Sequence, residues 1–121
     1  MERLSIKARR ARELEIRDDS HAGRHTLVLI GQLDATTSAA LEKMIVALCI
    51  GGASEIILDL RRLDLLDSSG VRAIVAGQER CREQGCRFFL TPARQAVERL
   101  FHVIGLPRED PVPEQRSSPA T

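Results

Sequence analysis

The stretch Glu55-Ile56-Ile57-Leu58-Asp59-Leu60 constrains the fold more than any other part of the chain. Three consecutive aliphatic residues, two of them β-branched, suit a strand better than an amphipathic helix. Side chains of a strand alternate between two faces, so an unbroken apolar run is buried on both. A central strand of a parallel sheet, with helices either side, meets that condition. A second run, Thr26-Leu27-Val28-Leu29-Ile30, stops at Gly31, and a third, Cys86-Arg87-Phe88-Phe89-Leu90, follows Gly85.

Helical periodicities separate these strands. Leu41, Met44, Ile45 and Leu48 share one face of a helix expected over about residues 38–50. Thr36, Thr37 and Ser38 are its candidate N-caps, and Gly51-Gly52 is its stop. A second helix is expected from Val71, with Val71, Ile74 and Val75 on one face, ending at Gly85. Thr91-Pro92 is expected to open a third. There Val97, Leu100, Phe101 and Ile104 recur at helical spacing before Gly105. Upstream, Leu14-Glu15-Ile16 alternates like an edge strand, and residues 18–23 read as a turn.

The order strand, strand, helix, strand, helix, strand, helix is that of an α/β layer structure. Its sheet is expected to be mixed, mostly parallel and of about four strands. With 121 residues, a second domain would have too little core. Residues 13–106 are read as one domain and residues 1–12 as a flexible basic arm. Residues 107–121, with four of the five prolines, are read as a disordered tail.

Composition narrows the function. Eighteen basic against 17 acidic residues leave a net charge of +1, which gives no field to draw the chain onto nucleic acid or an anionic membrane. The only aromatics are Phe88, Phe89 and Phe101, too few for base stacking. No apolar stretch approaches the roughly 18 residues of a membrane span, and the N-terminus lacks the apolar centre of a signal peptide. A cytoplasmic location is the expectation. Cys49, Cys81 and Cys86 show no Cys-x-x-Cys spacing, so neither a disulfide framework nor a metal site is expected, and no cofactor motif is present.

The informative segment is Leu66-Asp67-Ser68-Ser69-Gly70-Val71, between a buried strand and a helix. Asp67 and Ser68 stand where a helix N-terminus needs acceptors, which by itself describes an ordinary cap. In open α/β sheets, loops leaving the carboxyl ends of parallel strands gather on one edge. Asp34, Thr36 and Thr37 follow one strand; Asp64, Asp67, Ser68 and Ser69 follow the next. The edge is then rich in hydroxyls and carboxylates. It makes a poor catalyst, because a serine nucleophile needs a base beside it. His21 and His25 precede their strand and belong at its other end, while His102 comes late in the last helix. No Gly-x-Ser-x-Gly elbow or phosphate-binding glycine loop is present. An exposed serine without catalytic equipment suits modification by another enzyme.

The chain resembles the STAS domain, and within it the bacterial anti-anti-sigma factors (anti-sigma factor antagonists). Three pieces carry the resemblance. They are Leu29-Ile30-Gly31-Gln32-Leu33-Asp34 ahead of Thr36-Thr37-Ser38; Ile57-Leu58-Asp59-Leu60 through Asp67-Ser68-Ser69-Gly70-Val71; and Phe88-Phe89-Leu90-Thr91-Pro92 through Leu106. The resemblance implies a non-enzymatic regulator of sigma-factor-dependent transcription. Unphosphorylated, it binds an anti-sigma factor that is a serine kinase with a histidine-kinase-like ATPase fold. Phosphorylation of Ser68, with Ser69 as the second choice, releases it, and a metal-dependent serine phosphatase resets it. Asp34, Thr36, Thr37, Asp64, Asp67, Ser69, Gly70 and Val71 are the implied docking surface. The arginine-rich N-terminal segment and Gln32 depart from the pattern. A homodimer is compatible with the chain, though nothing in it requires one.

Two other readings use the same residues. One is a constitutive STAS adaptor, for example on a transporter ATPase, against which the full Asp-Ser-Ser-Gly motif argues. The other is a small enzyme or nucleotide-binding domain, against which the missing base, lysine and glycine-rich loop argue.

Overall fold

In a computed structural model, which describes residues 4–7 and 14–104, the apolar run is the middle of a mixed sheet. In chain order the elements are β1 (Leu4–Lys7), β2 (Leu14–His21), β3 (Arg24–Leu33), α1 (Ser38–Ile50), β4 (Glu55–Asp59), β5 (Leu63–Leu66), α2 (Ser68–Gln84), β6 (Arg87–Leu90) and α3 (Gln95–Ile104). The strands lie in the order β1-β2-β3-β4-β6, and β5 pairs with β3. The β1–β2 and β2–β3 pairings are antiparallel; β3–β4, β3–β5 and β4–β6 are parallel. The expected mixed, mostly parallel α/β sheet is therefore present, with six strands rather than about four.

Every residue of β4 is buried, as its apolar run requires. Leu27, Leu58 and Leu90 stand side by side across three parallel strands, and Ile56 stands beside Phe88. This face forms one cluster with Leu41, Met44 and Ile45 of α1 and with Val71, Ala73 and Ile74 of α2. Each fully buried leucine or isoleucine contributes roughly 1.5–3 kcal/mol by leaving water. On β3, Leu27 and Leu29 are buried, whereas Thr26, Val28 and Ile30 are only half-buried. The α1–α2 layer thus covers one face of β3, and the strand expected to be buried is fully so on that face only.

Several boundaries also differ from the sequence expectation. Leu4–Lys7, inside the expected flexible arm, pairs with β2, so Leu14–His21 is not an edge strand. Residues 18–21 are not a turn: Asp18, Asp19, Ser20 and His21 all pair with β3. Asp18 is buried and its carboxylate contacts His25 Nδ1 at 3.0 and 3.1 Å, which keeps this polar stretch in the ladder. Only Ala22 and Gly23 turn the chain, both at positive φ (52° and 83°), as tight hairpins demand. Gly31 does not end its strand. At φ +115° it forms a bulge, and β3 runs on to Leu33.

Residues 61–70 are not a plain connection, since they contain β5, and α2 begins at Ser68 rather than Val71. Thr91-Pro92 does not open α3, which begins at Gln95. Thr91 is instead buried, its hydroxyl accepting from the Leu60 N–H at 2.9 Å. The remainder of the arm, Gly105 and the tail over residues 107–121 lie outside the described residues, as do the side chains of Leu100, Phe101 and Ile104.

Candidate functional site

The two loops of interest meet because β5 continues along β3 where β4 leaves off. Gly31 stands beside Leu63, Gln32 beside Leu65, and Leu33 beside Leu66. Both strands run the same way, so Asp34 and Asp67 emerge on one edge. The Asp67 N–H then donates to the Leu33 carbonyl at 3.3 Å. Gly70 completes the approach. A β-carbon there would lie 2.5 Å from the Leu33 carbonyl oxygen and 2.6 Å from Leu66 Cδ1. Only glycine lets the first turn of α2 seat this closely on the end of β3.

Asp67 is the N-cap of α2. Its backbone is extended, and its carboxylate accepts from the Gly70 N–H at 3.0 Å. The Val71 N–H donates to the Asp67 carbonyl at 3.0 Å, closing the first helical turn. Ser68, the first helical residue, is exposed; Ser69 is half-buried. Gly70 and Val71, expected on the docking surface, are both buried, with Val71 and Ile74 in the core cluster. Their contribution is to seat the helix from beneath.

The facing loop is held by its own hydroxyls. The Asp34 carboxylate accepts from the Thr36 N–H at 3.0 Å and from the Thr36 hydroxyl at 2.8 Å. These bonds, led by the Thr36 hydroxyl, hold the Asp34 carboxyl below its ordinary range. Thr37 is the N-cap of α1 by position, yet its hydroxyl makes no cap bond. It is buried, donates to the Gln32 carbonyl at 2.9 Å and accepts from the Asp34 N–H at 2.9 Å. Thr36 is the exposed hydroxyl of the pair.

Asp64 is exposed and paired with Arg94 Nη1 at 2.7 Å. An ion pair this open to water contributes little to stability. Leu65 beside it is 41% exposed, which is unusual for a large aliphatic side chain. Sequence reading misses Leu65 because it sits in what looks like a loop. Its only signal is that Leu63, Leu65 and Leu66 crowd four residues, more than one buried face can take.

Ser68, Thr36, Asp34 and Leu65 thus belong to one edge, with a free hydroxyl at a helix start and carboxylates already engaged by N–H donors. His21 and His25 lie at the opposite end of β3, and His25 is engaged with Asp18. The arrangement presents an exposed serine at a helix start, with no histidine beside it among the described residues.

Residues 16–112 match the family model described as "Mlab, STAS domain". A Mycobacterium tuberculosis protein named anti-sigma-F factor antagonist RsfB is 28% identical over 86 residues, spanning 71% of this chain and 70% of its own. Among solved structures, an anti-sigma factor antagonist from Mycobacterium paratuberculosis superposes with a TM-score of 0.72 at 24% identity, covering 87% of this chain and 92% of its own. The phosphorylated form of the Bacillus cell fate determinant SpoIIAA superposes with a TM-score of 0.64 at 22% identity, covering 83% and 94%.

Proposed function

The chain belongs to the STAS domain family, and from that premise we propose that it is an anti-sigma factor antagonist switched by phosphorylation of Ser68. Unphosphorylated, it binds an anti-sigma factor that is itself a serine kinase, through the edge formed by Asp34, Thr36, Asp64, Leu65 and Ser68. Phosphate transfer to Ser68 breaks that contact, and a serine phosphatase restores it. The chain acts as a binding module and kinase substrate, not as an enzyme. The relative named as an anti-sigma-F factor antagonist supports the partner class.

One observation carries the reading: Ser68 is exposed at the first position of α2, seated against the Asp34 loop. A phosphate there adds about −1.5 to −2 charges. Toward the helix it meets free N–H groups and the positive end of the dipole, an interaction of roughly 0.3–1 kcal/mol. Exposed Arg72, four residues on, shares its helix face and is a ready counter-ion. Toward a partner, the same dianion stands next to Asp67, on the edge where Asp34 also emerges. The fold tolerates the charge, and a surface packed over Ser68 does not.

The test is intact-mass spectrometry of the protein from its native cells, with fragmentation to place any phosphate. Phosphate on Ser68 in part of the population, lost in Ser68→Ala while partner binding persists, is the expected result. An unmodified protein in every growth condition, with one partner always bound, would instead identify a constitutive adaptor.

A further inference from the structure

Cys49 near the end of α1, Cys81 in α2 and Cys86 just ahead of β6 converge in the core. Their sulfur atoms all lie within 4.8 Å of one another, and those of Cys49 and Cys81 are 3.8 Å apart. All three are free thiols and all are buried. Three sulfurs bound to one ion at about 2.3 Å stand roughly 3.5–4 Å from each other, so small side-chain adjustments suffice to enclose an ion. We propose that Cys49, Cys81 and Cys86 form a three-sulfur site for a trivalent metalloid, arsenite being its simplest form.

The surroundings select the class of ion. The three residues belong to the apolar core cluster. Thiolates around Zn²⁺ or Cu⁺ would leave a net negative charge in that core, which is costly without a partner. Trivalent arsenic avoids the charge. Arsenous acid, As(OH)₃, and three thiols give As(S-Cys)₃ and three waters. Three As–O bonds and three S–H bonds break, three As–S bonds form, and each thiol proton leaves on a departing hydroxyl. Reactants and product are all uncharged, and no oxidant or reductant is consumed.

Access is also present. Cys86 lines a surface cleft of about 300 Å³ with Gln78, Arg82, Arg87 and Phe88. The cleft gives a small neutral hydroxide such as arsenous acid a path to Cys86. Once closed, the site ties α1 and α2 to the start of β6, on chain segments 32 residues apart for Cys49 and Cys81. This inference does not depend on the partner or on Ser68.

The experiment uses the reduced full chain, arsenite, and native mass spectrometry with X-ray absorption at the arsenic edge. The expected result is one arsenic per chain with loss of three waters, three As–S contacts and no As–O contact. Cys81→Ser and Cys86→Ser should each abolish the three-sulfur signature. No adduct on the folded chain, a retained As–O contact in the unaltered protein, or an unchanged signature in Cys81→Ser would overturn the site. Displacement of the arsenic by equimolar Zn²⁺ or Cu⁺ would overturn the choice of ion. The measurements on the unaltered chain decide the matter even where a variant fails to fold.

Discussion

A methyl group at position 70 has nowhere to go, because the atom it meets first is a backbone carbonyl of β3. Leu33 is fixed in the parallel ladder with Leu66, so it cannot step aside. Gly70→Ala must push the first turn of α2 away from β3, and overpacking of this kind costs about 1–3 kcal/mol. Urea unfolding should show the midpoint falling. The folded fraction should also be a poorer substrate for any kinase of Ser68, since the serine rides on that turn. The hairpin carries the opposite opportunity. Ala22 holds φ +52° in a two-residue turn before Gly23, where a β-carbon is strained. Asn-Gly is the preferred pair for such turns, so Ala22→Asn should raise stability by about 0.5–1 kcal/mol, read as a higher urea midpoint. Both effects belong to single residues, and neither touches Ser68 directly.

At the scale of the element, the β3–α1 loop depends on one ionised carboxylate. Asp34 accepts the Thr36 hydroxyl and amide, and these bonds lower its pKa below the ordinary 3.8. A group lowered by folding stabilises the loop above its ordinary value, and that contribution fades as pH falls through the lowered value. The Thr36 amide signal in NMR should therefore titrate with a midpoint below 3.8, and Asp34→Asn should remove that titration. A midpoint above 3.8 would mean the bonds do not form in solution. The same elements show how much of this was readable beforehand. Strand β4, the core of β3, β6 and the α1 periodicity are written in local apolar pattern, and parallel pairing then dictates that Asp34 and Ser68 share an edge. Strands β1 and β5 are not readable in this way: each has four residues and exists because a neighbour offers a free edge. Missing β5 hid Leu65. A docking role for Val71 came from the resemblance alone, whereas two serines of modest helix propensity begin α2 and turn Val71 inward with Ile74. Asp18 misled for a similar reason, since a buried contact with His25 overrides its preference for turns.

For the whole molecule, the question is whether the proposed switch acts on the fold or on its surface. The core joins both helices α1 and α2 to β3, β4 and β6 in one cluster, and Ser68 lies outside it. Nothing buried has to move when phosphate arrives. The helix N-terminus gains a compatible anion, and the carboxylate of Asp67 already points at the Gly70 N–H. Two effects on stability then compete. The dipole and Arg72 favour the phosphate by roughly 0.3–1 kcal/mol, while Asp67 and Asp34 repel it through solvent, where such interactions are screened within about 8–10 Å. The balance is small, and 1 kcal/mol corresponds to a Tm shift of about 4–8 °C in a domain of this size. Phosphorylated and unphosphorylated protein should therefore give the same far-ultraviolet circular dichroism and differ in Tm by no more than a few degrees. Affinity for an anti-sigma factor partner, measured on the same two samples, should fall at least tenfold. A loss of helical signal, or a Tm lowered well beyond that range, would place the switch in the stability of α2 itself. Phosphate at Ser68 would then work by unseating the helix from Leu33, and Gly70→Ala would mimic it.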